Sequence, residues 1–544
     1  MERRPTLFAN AAILLLAMSC IVFRIVVGFI SLWLTKFTCQ RLHEVGYLPS
    51  LTTFPSTIQR LAIVAATQPD AGTFIGICIG AASWKGFGRL LFHPLSRFPG
   101  PKLAAWTSNY EFYYDVVLGG QYTFLLKALH DKYGPIIRIS PSELHVIDPS
   151  FHEQLFTGAS NPRDKYPFAT HRRAPLNALF SKKSVGELST TILERVETLC
   201  SRIVEFRKSG KPLSLKHAYS SLTLDVITEY SFGRSQRALD SPNFAKVLVD
   251  GFDEAGESLW LMEFCPPIRD LMRKIPPSWG WLLGPGVDAL MRVQSYLEVW
   301  VKEVQKERLQ GKEVDRRTVF HEMLDSPGLP PEDRTTFNLV NQAQVIIGAG
   351  LTTSAAHLAN TTFHVLNNPR ILKRLQQELE EAMPDPDVMV PLATLEKLEY
   401  LNAVVAEGHR LSHGVVHRLQ RISPYTPIHY GDWAIPAGWP VGMSPLYVHV
   451  NEEIFPSPHE FNPERFLGED GQRRKKYVVS FSRVTRRCLG ENLATAELFM
   501  TLAAVFRRFD LELFETTRED IDMAREYMIP LPKKGSQGLR VLVK

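Results

Sequence analysis

One cysteine in the chain sits where its sulfur can stay ionised. Cys488 lies in the run FSRVTRRCLGENLATAEL, with Arg483, Arg486 and Arg487 before it and an apolar helical pattern (Leu493, Ala494, Ala496, Leu498, Phe499) after it. Neighbouring positive charge and a helix N-terminus both lower a thiol's pKa. A lasting thiolate is a ligand for iron and pushes electron density toward it. The same residues admit a plainer reading, a buried structural cysteine beside a basic surface loop. The remaining cysteines, Cys20, Cys39, Cys78, Cys200 and Cys265, have no C-x-x-C spacing. That argues against a zinc site or a disulfide scaffold and for a reducing compartment.

A second constellation is QVIIGAGLTTSAA. It superficially matches a G-x-G-x-x-G dinucleotide loop, but Thr353 stands at the third glycine position and no βαβ pattern surrounds it. Within a helix, Ala349 and Gly350 leave a gap on one face, and Thr352 and Thr353 can bond back to carbonyls one turn earlier. The gap suits either a close helix crossing or a small molecule, with a hydroxyl beside it to hold water. Glu407 and Arg410 stand at i, i+3 in VVAEGHRLSHG, and Arg465 follows Pro463-Glu464 in FNPERFL. An exposed i, i+3 ion pair is commonplace, so this pairing says little alone.

The elements that must position these groups are mostly helical. Apolar periodicity predicts helices over 192–206, 287–309, 337–366 and 370–383, and a helical stretch ending near Tyr133. IIRIS and ELHVID, joined at Pro141-Ser142, read as a hairpin, and a second β segment falls in IHYGDWAIPAGWPVGM with Pro436-Ala437-Gly438 as its turn. Pro94, Pro99 and Pro101 forbid a helix near residue 97 and suggest a stiff, extended hinge. Residues 7–34 are almost continuously apolar apart from Arg24, long enough for a membrane-spanning helix. A shorter apolar stretch, 73–84, reads as lying on or dipping into a membrane. The expected organisation is an anchor over 1–35, a connector over 36–87 and a folded domain over 88–544. Lys and Arg total 62 against 57 Asp and Glu, a net +5 that gives no case for nucleic-acid binding. The excess is local: Arg473, Arg474, Lys475, Lys476, Arg483, Arg486 and Arg487 cluster before the cysteine.

Taken in order, these motifs resemble the cytochrome P450 family. The cysteine run is similar to the family's F-x-x-G-x-R-x-C-x-G loop, and GAGLTT to its A/G-G-x-D/E-T oxygen-activation motif. The E-x-x-R pair with Arg465 looks like its buried Glu–Arg–Arg triad. The nearest pattern is that of microsomal members in filamentous-fungal secondary metabolism, of the trichodiene-oxygenase type. The resemblance implies a mainly α fold with a small β region, and haem b between the long oxygen helix and the cysteine helix. It makes Cys488 the axial iron ligand within a loop that includes Phe481 and Gly490. It assigns Thr353 to proton relay, with Thr352, Gly350 and Ala349 beside it, and gives the haem propionates to Arg486 and Arg173. Arg418 in HRLQR is a further candidate, with plain surface solvation as its alternative. The implied reaction inserts one atom of O2 into an apolar terpenoid or polyketide intermediate. Electrons come from NADPH through NADPH-cytochrome P450 reductase, with cytochrome b5 as an additional donor. The basic cluster would dock that reductase, unless it is simply a solvated charge run. The implied location is the endoplasmic reticulum membrane, with one span in membrane lipid and a cytosolic catalytic domain.

Three departures bear on activity. Val484 stands where the family has glycine. Thr352 replaces the acid, and a threonine hydroxyl holds water but cannot supply a proton as a carboxylic acid can. RDKYPFATHRRA is also shorter than the family's loop before the arginine pair, and Ala169 takes the place of an aromatic or histidine partner to Arg173. They keep two other readings open: a membrane-anchored remnant with impaired catalysis, and a reductase-independent haem-thiolate isomerase or dehydratase.

Overall fold

A computed structural model describes residues 71–544 apart from 158–162, 166–175, 178, 273, 312–317, 328 and 485–486. These residues fall into two compact units. One reaches Ser96 and includes Ala105–Thr107; the other comprises Arg97–Ala104 and Ser108–Lys544. In the first unit the 73–84 stretch is part of a 21-residue helix, α1 (Ala71–Leu91). Gly86 lets α1 run close to Trp106, since a Cβ there would collide with the indole. Arg89 donates to the Trp106 carbonyl at 2.8 Å. Among the described residues no helix is long and apolar enough to cross a membrane. The expected anchor at 7–34 lies outside the described residues. After α1 the chain turns where an extended hinge was expected: Ser96 N–H donates to the His93 carbonyl at 2.8 Å. Pro94 takes the second position of that turn, which its fixed φ favours.

In the second unit α2 (Tyr122–Tyr133) leads to β1 (Ile136–Arg138) and β2 (Leu144–Val146). These two strands form the expected hairpin, with Ile136 opposite Val146. After β3 (Asp164–Lys165) comes α3 (Lys182–Ser209), capped by Ser181 and ended by Gly210 at φ 63°. It begins ten residues before the predicted 192 because Val185 and Leu188 extend the buried stripe. Then follow β4 (Leu213–Ser214), α4 (Leu215–Phe232), α5 (Lys246–Phe264) and α6 (Pro285–Leu309). The next helix, α7 (Thr336–Leu366), has 31 residues, a length of roughly 46 Å. α8 (Pro369–Ala382) starts on a proline behind the Asn368 cap, and α9 (Glu399–Ser412) carries the E-x-x-R pair.

Strands β5 (Arg421–Ile422), β6 (Ile428–Tyr430), β7 (Trp433–Ile435) and β8 (Pro440–Gly442) come next. α10 (Gly468–Lys475) and α11 (Glu491–Arg508) flank the cysteine loop. β9 (Leu511–Leu513), β10 (Arg525–Tyr527), β11 (Ile529–Leu531) and β12 (Arg540–Val543) close the chain. The largest sheet has the order β1-β2-β8-β5-β3; β4-β12-β9, β6-β7 and β10-β11 are separate. The turn in the second β segment is not where the sequence placed it. β6 pairs with β7 through Tyr430 opposite Trp433, leaving Gly431-Asp432 as a two-residue turn. Gly431 supplies the positive φ, 52°, that such tight turns need. Pro436-Ala437-Gly438 instead carries the chain from one sheet to another, since β8 pairs with β2 and β5.

One apolar core holds the functional helices. Leu188 and Ile192 of α3, Leu222 and Val226 of α4, Ile347 and Leu358 of α7, and Leu498 and Leu502 of α11 belong to it. Burial of these faces fixes α7 and α11 against each other, and the fold is mainly α with a small β region.

Candidate active site

The cysteine loop is held from behind by a buried charge network. Arg410 clasps Glu407 with two hydrogen bonds of 2.7 Å, from Nε and Nη2. Arg465 Nε donates to the same carboxylate at 3.1 Å, and so does the Asn462 N–H at 2.9 Å. The remaining guanidinium hydrogens go to backbone carbonyls: Arg410 to His449 and Pro458, Arg465 to Pro456. Three side chains thus tie α9 to the irregular segment before α10. Burial pushes the Arg465 guanidinium pKa down, the direction expected of a cation taken out of water. His449 then accepts from the Val479 N–H at 2.9 Å, passing the attachment to the loop. That ring is neutral, because burial together with nearby His413 and Arg410 holds its pKa well below the ordinary value.

Within the loop, Cys488 N–H donates to the Phe481 carbonyl at 2.7 Å, tying the two ends of the loop together. The Phe481 ring packs edge-on against His409 of α9 at 4.8 Å, and the Ser480 hydroxyl donates to the His409 carbonyl. Gly414 brings the segment after α9 against this loop: a Cβ there would lie 2.8 Å from the Ser480 oxygen. Val484 sits at φ 55° and Ser482 at φ 58°, both in the left-handed region. A β-branched residue is strained there, so the loop keeps a glycine-like path through valine. Cys488 is exposed, and a Cβ on Gly490, the residue that caps α11, would meet open space. Arg487 is joined to Glu491, and that carboxylate, then the Cys488 sulfur, favour its charged form.

The facing helix has a matching opening. α7 is buried at Ala343, Ile347, Leu351 and Leu358, yet Val345, Ala349 and Ala356 are exposed and Thr353 partly so. Those residues lie on one side of α7 at helical spacing. Thr353 Oγ1 donates to the Ala349 carbonyl at 2.8 Å, and Thr352 Oγ1 to the Gly348 carbonyl at 2.9 Å. Gly350 points elsewhere. A Cβ on it would come 2.8 Å from Ile227 Cγ1, so its lack of a side chain serves the crossing of α7 and α4. The opening expected at Ala349-Gly350 belongs to Ala349 alone.

Anion-binding candidates also change. Arg173 and Arg486 lie outside the described residues, as do residues 166–171 of the shortened loop before Arg172. Arg418 is buried between two carboxylates, 2.6 Å from Glu111 and 3.0 Å from Glu143. Its charge is engaged there, which takes it out of the propionate role. Arg421, which the sequence reading passed over, is buried with Nη2 3.5 Å from Ser482 Oγ and its guanidinium 4.6 Å from the Phe156 ring. It stands beside the cysteine loop three residues after Arg418. The basic cluster is also less free than its sequence suggests. Arg474 donates to the Arg465 carbonyl, Lys475 to Asn402, and Arg483 lies 3.5 Å from Glu153. Arg473 remains 76% exposed with a loose pairing to Asp470.

An exposed thiol at the head of α11, room over Gly490 and a small-residue stripe on a helix packed against α11 fit a flat iron macrocycle between them. Arg421 could hold one of its acid groups. A cavity of about 630 Å³ runs along α7 from Leu351 to His364 and shares Ala356 with the open stripe. Cys488 does not line it.

Helical fold, buried Glu–Arg–Arg network and open thiol loop together define a haem-thiolate oxygenase. The family model described as Cytochrome P450 matches residues 157–538, and the chain belongs to the cytochrome P450 family. It is 39% identical to cytochrome P450 monooxygenase tpcC of Cochliobolus heterostrophus, over 84% of this chain and 93% of that protein. It is 37% identical to tryptophan 6-hydroxylase fscE of Fusarium equiseti, over 88% of this chain and 97% of that protein. Cytochrome P450 monooxygenase TRI4 of Trichoderma arundinaceum is 37% identical over 87% of this chain and 96% of its own length.

Proposed function

We propose that this monooxygenase inserts one oxygen atom into an apolar small molecule, a terpenoid or polyketide intermediate of fungal secondary metabolism. Two electrons come from NADPH through a separate reductase, with cytochrome b5 as an additional donor. Bound haem supplies dioxygen activation; the protein holds it and manages protons and water. The observations that carry the reading are the exposed Cys488 thiol before α11 and the open Ala349–Thr353–Ala356 stripe of α7, the helix packed against α11. Cys488 would ligate iron, and Arg421, Arg486 and Arg173 would hold the propionates. Thr353, anchored to the Ala349 carbonyl, would keep an ordered water on the open face for proton delivery.

Residues 7–34 would anchor the chain in the endoplasmic reticulum membrane with the catalytic domain in the cytosol, and Arg473 and its neighbours would meet an acidic reductase surface. The test is product formation under labelled dioxygen with NADPH and reductase. Label in the product supports the reading. Turnover without NADPH would instead mark an isomerase or dehydratase. A second reading, an impaired remnant, is favoured by the left-handed Val484; well-folded protein that retains no haem would establish it.

A further inference from the structure

The cavity along α7 is a compartment with chemistry of its own. Leu351, Ala355, Ala356 and Ala359 line it from α7, with Leu446 and Ile529 among the apolar residues opposite. Ala349 and Thr353 of the open stripe, apart from Ala356, do not line it, and neither does Phe481 of the cysteine loop. At about 630 Å³ it falls within the size range of small-molecule pockets, roughly 300–1,000 Å³.

The wall favours a neutral occupant. Lys216 lies 2.7 Å from Asp253 and Arg518 lies 2.9 Å from Asp522, while Lys127 is joined to Asp131. A carboxylate or phosphate ligand would find each of these countercharges already engaged. The uncommitted polar group is Asn360. It is only 9% exposed, yet its Oδ1 has no hydrogen-bond partner among the described residues. A buried amide oxygen left in that state is costly, so a ligand that hydrogen-bonds it gains selectively there. Ser412, also on the wall, is held loosely, its Oγ 3.4 Å from His357 Nδ1. A hydroxyl group both donates and accepts, which suits an amide and a serine set in apolar surroundings.

We propose that this cavity is a second ligand site, set apart from the thiol, that takes an apolar alcohol, with Asn360 recognising the hydroxyl. Oxygen insertion into an apolar molecule makes an alcohol of that class, so the cavity receives product from the open stripe past Ala356. The product role rests on the monooxygenase reading above; the preference for an alcohol over its hydrocarbon does not. Helical spacing sets the consequence. Asn360 is seven residues beyond Thr353, roughly 10 Å along α7. A hydroxyl anchored at Asn360 is therefore two turns from Thr353, and the molecule is withdrawn from a second oxidation.

A photoreactive probe tests this: a diazirine analogue of farnesol, irradiated with the full-length holoenzyme without NADPH and mapped by peptide mass spectrometry. Label should fall within residues 351–364 and 529–532 of the cavity wall. Farnesol should displace it at several-fold lower concentration than farnesene, the hydrocarbon counterpart. Asn360→Leu keeps the side-chain volume and removes an unpaired polar atom, so the fold should persist. That variant should still be labelled but lose the preference for farnesol over farnesene. Ala359→Phe fills the cavity and should abolish labelling there. Both variants should keep the wild-type carbon-monoxide difference spectrum, since neither residue belongs to the thiol site. Label confined to the cysteine loop or to Ala349–Thr353, or an undiminished farnesol preference in Asn360→Leu, overturns the proposal. Alcohol-selective labelling of the cavity in a protein that forms no oxygenated product would uphold the site and overturn its product role together with the monooxygenase reading.

Discussion

Replacing Val484 by glycine should tighten haem binding, and the size of the effect follows from the loop. Val484 holds φ 55° and is 50% exposed. An L-residue held in the left-handed region costs about 1–3 kcal/mol, with a β-branched side chain toward the upper end. Glycine removes that cost but gives up the half-buried apolar side chain, about 0.8 kcal/mol. It also adds backbone freedom to the unbound loop, about 0.5 kcal/mol. The balance is a gain on the order of 1 kcal/mol, roughly a five-fold tighter equilibrium. Haem transfer from purified protein to an acceptor apoprotein measures it directly. Val484→Gly should release haem several-fold more slowly than wild type, and Val484→Ala, which keeps a Cβ but not the branch, should fall between. Equal release rates for all three, or faster release from the glycine variant, would refute the reasoning.

Other consequences concern the charge networks and pH. Glu407→Gln leaves Arg410 and Arg465 buried without their carboxylate and should cost about 3–5 kcal/mol of stability, visible as a large drop in unfolding temperature with haem loss. Arg418→Met should likewise destabilise by stranding Glu111 and Glu143, whereas Arg421→Gln should weaken haem retention more than it lowers stability; comparing melting with haem transfer separates the two. Stability should fall as pH rises between about 4.5 and about 8, because folded Glu497 keeps a proton that the unfolded chain releases. The effect has a ceiling on the order of 5 kcal/mol, and Glu497→Gln should flatten that part of the pH profile in chemical denaturation. Reduction by the reductase should slow at high salt if Arg473 and its neighbours form the docking face; a salt-independent rate would count against that surface.

The sequence showed local features well and long-range ones poorly. The 136–146 hairpin was legible because two alternating apolar runs meet at Pro141-Ser142, and α7 because its periodicity persists for many turns. The E-x-x-R pair was weak alone and gained meaning only with Arg465, 58 residues from Glu407. Of the two readings open at Ala349-Gly350, Gly350 fits the helix crossing; the sequence left the choice open because helical spacing says which residues share a face but not which neighbour that face meets. Arg418 was misread for a related reason: its carboxylate partners lie 307 and 275 residues away. Glu497 drew no notice, since a glutamate amid apolar helical residues looks ordinary until α7 is packed over it. The turn at Gly431-Asp432 was readable from its glycine and aspartate and was passed over for the proline downstream.

The central claim is that Cys488 holds haem iron as a thiolate. It is tested most directly by the carbon-monoxide difference spectrum of the reduced protein, wild type beside Cys488→Ala. The structure leads to a Soret band at the thiolate-ligated position in wild type that is lost in the variant. A wild-type band only at the position of haem without thiolate, or an unchanged thiolate band in Cys488→Ala, would contradict it.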